Sequence, residues 1–228
     1  MTHRLTVEPD AAALGLANAS AVLIDSDEPF GSAGLSEEEL AAAVAMSSLG
    51  PPEEDGYFHV LSALGYSGVE PAGRRLVRVA AERGLRSYGL LVDACNVVAL
   101  RHAAGIGLHD LGGHADQYRE LVVFRARGGE KIVPAFRDSV KSIPVGDLVY
   151  GFHTADGFEP LAWLGKRDTD SAAGQIREST MSAVVVVLGH GDVTAADTAT
   201  MCAEVTDLVR RHRSGVRVTP LQQAHPQG

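Results

Sequence analysis

The chain has 228 residues, 45% of them hydrophobic, and a formal net charge of −9 at pH 7. This length and apolar content suffice to bury a sizeable core, so we expect one compact domain over residues 1–228. The negative charge repels polyphosphate at long range, which argues against an extended nucleic-acid interface and against DNA as a partner. Any RNA contact must therefore be local.

The first residues and the two cysteines bear on the class of protein. The start of the chain lacks the apolar segment of a secretory signal, and no apolar run reaches the length that spans a bilayer. We therefore expect a cytoplasmic protein without membrane contact. Cys95 and Cys202 are far apart and have no zinc-ligand spacing, so we expect neither a disulfide nor structural zinc.

The first half of the chain predicts helices. Ser36 and Glu39 stand at capping-box spacing before a run of helix formers, which predicts a helix over 36–48. Residues 72–84 predict a second helix with apolar residues facing inward and arginines facing outward. With two arginines that follow, this helix forms the densest basic patch of the chain, consisting of Arg74, Arg75, Arg78, Arg83 and Arg86.

Polar residues interrupt an apolar run over 91–111, where an unsatisfied buried polar group costs about 1–3 kcal/mol. A helix is predicted over about 94–104 with Asp93 as its N-cap. Asn96 would then project from the first turn, beside N–H groups that can hold an oxyanion, or it is a plain capping asparagine. Cys95 is a candidate nucleophile at a helix N-terminus, although cysteine more often fills core space.

The second half predicts short strands, β-branched or aromatic, separated by Gly, Pro or Asp. The last strand is predicted to be buried on both faces, and Thr194 and Asp197 begin a closing helix over about 195–213. This order of elements predicts an α+β fold, a compact sandwich of one or two mixed β-sheets flanked by helices. The predicted strands are 120–126, 131–136, 147–152, 160–165 and 182–189.

Two patterns suggest a ligand site only weakly. His102, His109, Asp110 and His114 offer metal ligands, but their spacing matches no standard site and imidazoles are ordinary surface residues. We therefore expect no metal and no cofactor. The segment GHG at 189–191 lies between a strand and a helix but lacks the rest of a phosphate-binding motif, which favours a simple turn.

A charge-rich turn follows the only tryptophan of the chain, Trp163. The turn contains Lys166, Arg167, Asp168 and Asp170, and such a turn after a strand either rims a pocket or is solvated. We expect this turn and Trp163 to form the entrance of a substrate pocket.

Five segments occur in the order of the motifs of one known editing module: VDACN (92–96), GIGLHDL (105–111), GGEKIV (128–133), PVGDLVYGF (144–152) and QIREST (175–180). On these segments the chain resembles the tRNA-editing B3/B4 domain of the phenylalanyl-tRNA synthetase beta chain. It resembles still more closely the freestanding B3/B4 domain proteins of that superfamily. The resemblance covers about residues 57–190, which predicts a B3/B4-like core with helical additions at both ends.

This resemblance implies a trans-acting aminoacyl-tRNA deacylase, which cleaves the ester at the tRNA 3′ end and has the acceptor end of tRNA as its partner. Asn96, His109 and Asp110 would be catalytic. Gly107 stands where the synthetase motif has histidine, so the specificity of the synthetase does not carry over. Either His109 or His102 substitutes for that histidine, or the substrate's own hydroxyl or amine activates the water.

The expected substrate contacts are Cys95, Gly107, Trp163, Lys166, Arg167, Asp168 and Thr180, and the expected tRNA contacts are the five arginines of the basic patch. Two other functions fit the sequence. One is a noncatalytic RNA-binding or protein-binding module that kept the fold. The other is an enzyme for a small amino-acid-like molecule, which the acidic charge favours. Nothing in the sequence points to an oligomeric state.

Overall fold

A computed structural model describes residues 3–16, 18–50, 55–112, 118–154, 157–165 and 168–224. The strands in chain order are β1 Arg4–Val7, β2 Asn18–Asp25, β3 Ile106–Asp110, β4 Glu120–Arg125, β5 Lys131–Ile132, β6 Lys141–Ser142, β7 Leu148–Thr154, β8 Gly157–Leu164, β9 Thr169–Asp170, β10 Ser182–Gly189, β11 Arg217–Pro220 and β12 Gln222–Ala224. The helices are α1 Pro9–Ala12, α2 Glu37–Met46, α3 Gly56–Ala63, α4 Ala72–Arg83, α5 Leu90–His102 and α6 Ala195–His212.

The predicted α+β class is confirmed, with the elements arranged in layers. Helices α2, α4, α5 and α6 cover one face of a four-stranded antiparallel sheet with the order β11-β2-β10-β3. The other face packs against a six-stranded mixed sheet with the order β12-β1-β4-β7-β8-β9. The ribbon β5-β6 adds apolar side chains to a smaller cluster on the far face of the six-stranded sheet. Among the described residues, no helix is both long and apolar enough to cross a bilayer.

Strand β10 lies in the interior, as its run of valines predicts. Val185 and Val187 pack toward the helices, whereas Val184 and Val186 pack toward the six-stranded sheet. All four side chains are at most 1% exposed. Because neighbouring side chains of a strand point to opposite faces, both faces of β10 are buried and a continuous apolar run is required.

The ends of the chain contribute strands as well as helices. β1 pairs in parallel with both β4 and β12, and β2 lies between β10 and β11 in the four-stranded sheet. The additions at both ends therefore contain strands beside the expected helices. Within the predicted strand 131–136 the ladder ends at Ile132, shortly before Pro134, which cannot donate a ladder hydrogen bond.

Three of the predicted helix starts are confirmed, including that of α4 at Ala72, and one is displaced. Complete capping boxes begin α2 at Ser36 and α6 at Thr194. Helix α5 begins at Leu90 instead of about residue 94, preceded by Gly89 with a φ of 103°. Asp93 is therefore not an N-cap. Its buried carboxylate accepts hydrogen bonds from the Leu35 and Tyr88 amides and from a serine hydroxyl, which ties two loops to the helix.

Candidate functional site

A pocket of about 180 Å³ opens between the two large sheets, where the chain passes from α5 into β3. We call it the central pocket. Its apolar walls come from both sheets, with Leu164 on one side and Val186 and Leu188 on the other, and the N-terminal ends of α3 and α4 close it. The polar residues that line it are Asp55, Tyr57, Arg75, Tyr150, Asp168, Asp170 and His190.

A tyrosine–histidine pair forms the inner end of the central pocket. The Tyr150 hydroxyl lies 2.7 Å from Nε2 of His109, which is completely buried behind it. Burial lowers the pKa of His109 to about 3 and raises the pKa of Tyr150 well above its usual value, so both groups are neutral at pH 7.

The second ring nitrogen of His109, Nδ1, indicates which of the two residues donates the hydrogen bond between His109 and Tyr150. Nδ1 is buried and has no hydrogen-bond partner within the described ranges. A buried N–H without a partner is rarer than an unpaired acceptor, which favours the proton on Nε2. Nε2–H then donates to the Tyr150 oxygen, and the Tyr150 hydroxyl is free to donate into the pocket.

Gly107 makes room for this pair. A Cβ atom on Gly107 would overlap the Tyr150 hydroxyl and would also approach His109 Nε2 to 3.1 Å. Gly107 itself lines the central pocket. The absence of a side chain at Gly107 therefore gives space to a hydroxyl from β7.

Two carboxylates, Asp168 and Asp170, line the central pocket, and Asp170 lies in β9 of the same sheet as Tyr150. Burial raises the pKa of Asp168 to about 6, although the nearby positive charge of Arg75 acts in the opposite direction. Burial also raises the pKa of Asp170. Asp168 and Asp170, both from the charge-rich turn that the sequence analysis singled out, thus line a pocket with Arg75.

Tyr57 and His190 complete the polar lining, and the sequence interpretation missed both. Asp55 caps α3 by accepting a hydrogen bond from the Tyr57 amide, and this sets Tyr57 against the pocket. Tyr57 is 9% exposed, and its hydroxyl has no hydrogen-bond partner within the part of the chain that the structure describes. Its ring centroid lies 5.3 Å from that of His190, the histidine of the GHG turn. The sequence feature that could have indicated His190 is its position between two glycines directly after a buried strand.

Asn96 and Cys95 lie outside the central pocket. Both line a neighbouring groove of about 370 Å³, which shares Arg75, Gly105 and Ile106 with the pocket. Because α5 begins at Leu90, both residues lie in the second helical turn, not at free N–H groups. Burial raises the pKa of Cys95 far above its usual value, which contradicts a thiolate nucleophile.

The side chains of Asp110 and Thr180 connect the end of β3 to the segment that precedes β10. The Asp110 carboxylate accepts a hydrogen bond of 2.9 Å from the Thr180 hydroxyl and one of 2.8 Å from the Gly112 amide. Thr180 is 1% exposed, and neither residue lines the central pocket.

Trp163 is likewise turned away from the central pocket. Its Nε1–H donates to the buried carboxylate of Asp147 at 2.7 Å, and the Tyr66 hydroxyl donates to the same carboxylate at 2.8 Å. Trp163 packs against the small apolar cluster on the far face of the six-stranded sheet. Lys166 and Arg167 lie outside the described residues.

The arginines of the basic patch differ in their environments. Arg74 is only 8% exposed and donates to the Gly50 carbonyl, so the expectation that it faces outward is wrong. Arg78 is exposed but pairs with Glu70 at 3.0 Å and with a second glutamate. Arg75 is exposed at the central pocket. The remaining two, Arg83 and Arg86, are also exposed.

The histidines considered as metal ligands are dispersed. His102 lies 3.2 Å from a carboxylate oxygen of Glu204, whereas His109 contacts Tyr150. His114 is outside the described residues. Within the described ranges, no group of three or more histidine, cysteine, aspartate or glutamate residues is arranged to hold a metal ion.

Comparison with known proteins relates this fold to a synthetase fragment. No protein-family model and no curated protein matches the sequence. Among solved structures, the chain is similar to an N-terminal fragment of the phenylalanyl-tRNA synthetase beta-subunit from Pyrococcus horikoshii, with a TM-score of 0.51 and 9% sequence identity. The match covers 99% of this chain and 54% of that fragment, so the chain spans about half its length. At this identity the likeness concerns the fold alone, and it extends beyond residues 57–190.

Proposed function

We propose that the protein is a freestanding B3/B4-type hydrolase that removes the amino acid from an aminoacyl-tRNA. The observation that carries the proposal is the central pocket, an acid-lined cavity with a neutral tyrosine hydroxyl at its inner end. Its place in a fold similar to the synthetase fragment supports the choice of substrate.

The acids suit the amino group of an aminoacyl ester. The α-amino group has an ordinary pKa near 7.7–8.0 and is largely a cation at pH 7. Asp170 would bind this cation. Asp168, with a pKa of about 6, would be ionised and still close enough to pH 7 to act as a general base.

The reaction would use Asp168 and Tyr150 together. Asp168 accepts a proton from water as the water oxygen attacks the ester carbonyl carbon. The Tyr150 hydroxyl donates a hydrogen bond to the oxyanion that develops on the carbonyl oxygen. When the carbonyl re-forms, the bond to the ribose oxygen breaks and this oxygen takes the proton from Asp168. His109 acts as a positioning residue because it holds the Tyr150 hydroxyl in place without contacting the substrate.

The volumes of the central pocket and of the adjoining grooves indicate which part of the substrate each of them would hold. The central pocket, at about 180 Å³, is smaller than the roughly 300–1,000 Å³ of sites that enclose a drug-sized ligand. It would hold the aminoacyl group only. Adjoining grooves of about 380 and 370 Å³ share walls with it and would receive the terminal nucleotide.

The remaining expected site residues have supporting roles in this proposal. Asn96 would contact the nucleotide from its groove, and Arg75 would bind a phosphate at the boundary of groove and pocket. Asp110 and Thr180 would hold the end of β3 beside the segment that precedes β10. Lys166 and Arg167, which directly precede Asp168 in the sequence, remain proposed substrate contacts.

Deacylation of a panel of mischarged tRNAs tests the proposal. The wild-type protein should release amino acid from at least one of them, and Asn96→Ala should slow this release. Binding of tRNA without release would favour the noncatalytic module and contradict the hydrolase. Release by Asn96→Ala at the wild-type rate would remove Asn96 from the site.

A small amino-acid-like substrate is the second candidate. The small acidic pocket favours it, as do the burial of Arg74 and the pairing of Arg78, which reduce the basic surface available to RNA. Hydrolysis of free amino-acid esters with no preference for the corresponding aminoacyl-tRNAs would support this candidate instead of the first.

A further inference from the structure

The loop between β5 and β6, residues 133–140, is hydrogen-bonded to the edge strand β9, which carries Asp170. The Ala135 amide donates a hydrogen bond of 2.7 Å to the Asp170 carbonyl, and the Ala172 amide donates one of 2.8 Å to the Val133 carbonyl. Because Asp170 lines the central pocket, these bonds fix the loop beside the pocket.

Phe136, the residue after Ala135, is 91% exposed. Its backbone has a φ of 60°, in the left-handed region that bulky residues rarely adopt. Single exposed apolar residues are common on protein surfaces, but here the backbone is strained as well and the ring is almost wholly in solvent. Packing within the fold therefore does not account for a phenylalanine at this position.

The sequence on both sides of Phe136 carries exposed cations. Arg137, Lys141 and Lys131 are exposed, and within the described ranges none of them forms an ion pair with a carboxylate. Asp138 is the single acid between residues 131 and 145, so this segment carries a charge of +2 in a chain of −9. The loop thus combines a free aromatic face with free cations.

We infer that this loop binds the single-stranded 3′ end of an RNA, with the Phe136 ring stacked on a base and Arg137 and Lys141 on phosphates. Aromatic stacking with adjacent positive charge is how proteins hold single strands without reading their sequence. The inference rests on the proposed function, for which it supplies the RNA-binding surface. It adds this surface to Arg75, because two other arginines of α4 are not available: Arg74 is buried and Arg78 is paired.

The test is the Kd of the full chain for an uncharged single-stranded RNA with the sequence of a tRNA acceptor end. Phe136→Ala should weaken binding by roughly 5- to 150-fold, the usual effect of removing one stacking ring. Phe136→Tyr should bind like the wild type, whereas Phe136→Leu, which lacks a π face, should bind like the alanine variant. Val145→Ala, at a residue 74% exposed, is the matched control and should change nothing.

Salt dependence tests the cations. Replacing Arg137 or Lys141 by glutamine should each reduce the slope of log K against log salt by about 0.7, the value for one phosphate contact on a single strand. An unchanged slope would remove these two residues from the surface. All variants should keep the wild-type Tm, since none of the altered side chains is buried.

The outcomes separate this inference from the proposed hydrolysis. If Phe136→Ala keeps the wild-type Kd, if Phe136→Leu binds like the wild type, or if the wild type binds no RNA, the inference is wrong. If binding depends on Phe136 but no charged tRNA is hydrolysed, the surface stands and the hydrolase fails. If tRNA is hydrolysed and Phe136→Ala leaves the KM unchanged, the hydrolase stands and the surface is wrong.

Discussion

The hydroxyl of Tyr150 and Nε2 of His109 lie 2.7 Å apart, and the two residues come from different sheets. Tyr150 faces the central pocket, whereas His109 is sealed behind it. The pair therefore joins the two sheets at the base of the pocket and places an uncharged donor there.

Gly107→Ala should disrupt the pair. The added methyl group would overlap the Tyr150 hydroxyl, and such overpacking typically costs about 1–3 kcal/mol of unfolding free energy. Gly105→Ala is the control, because a Cβ there meets nothing within 4 Å. Urea unfolding of both variants checks this, and equal stability of the two would contradict the placement of Tyr150.

His109 should make the fold sensitive to acid. Its pKa is about 3 when folded against an ordinary 6.5, so the unfolded chain binds a proton between these values and the folded chain does not. The contribution of His109 to the free energy of unfolding is full above pH 6.5 and falls toward pH 3 by at most about 1.4 kcal/mol per pH unit.

This effect is measured by comparing the pH dependence of the unfolding free energy in two variants. One is Tyr150→Phe, and the other is the double variant Tyr150→Phe with His109→Phe. Only the first keeps the imidazole, and His190, whose pKa burial also lowers, contributes equally to both. The variant without His109 should lose less unfolding free energy between pH 6.5 and pH 4. Parallel pH profiles would show that His109 is not a buried neutral base.

Asp168→Asn should stabilise the protein at pH 7. The folded pKa of about 6 exceeds the ordinary 3.8, so ionisation of this carboxyl opposes folding, and stability falls as pH rises from 3.8 through 6. The variant should gain up to about 3 kcal/mol at pH 7 and nothing at pH 3. Asp207→Asn, on an exposed part of α6, is the control for loss of one negative charge.

Arg75 and Arg78 should differ in RNA binding. Arg75 is exposed at the central pocket, whereas the guanidinium of Arg78 is occupied by Glu70 and Glu82. Arg75→Gln should weaken tRNA binding and flatten its salt dependence, while Arg78→Gln should do so much less. The reverse order, measured by tRNA titration at several salt concentrations, would contradict the placement of the substrate.

The features that could be predicted from the sequence are mostly local ones. The capping boxes at Ser36 and Thr194 and the valine run of β10 each depend on residues close in the chain. Strands β1 and β2 were missed because their partners are distant in sequence: Arg4 pairs with Glu120 and Asp25 with Ser182. Strands of that kind are stabilised by tertiary pairing and leave a weak local pattern.

The same limit applies to the candidate site. Gly107, Arg75 and Asp168 were predicted and line the central pocket. Tyr57 and Tyr150 were missed because an aromatic residue in a helix or strand is normally part of the core, and only the direction of the hydroxyl distinguishes it. The motif asparagine was expected at a helix start because Asp93 suits an N-cap, but the preceding glycine begins the helix earlier.

The rate of amino-acid release from a mischarged tRNA by wild type, Asp168→Asn and Asp207→Asn tests the central claim most directly. If Asp168 is the general base of the central pocket, Asp168→Asn should slow release by about 10²- to 10⁴-fold, with the protein at least as stable as before. Asp207→Asn should match the wild type. Release by Asp168→Asn at the wild-type rate, or no release by the wild type from any tRNA of the panel, would contradict the account.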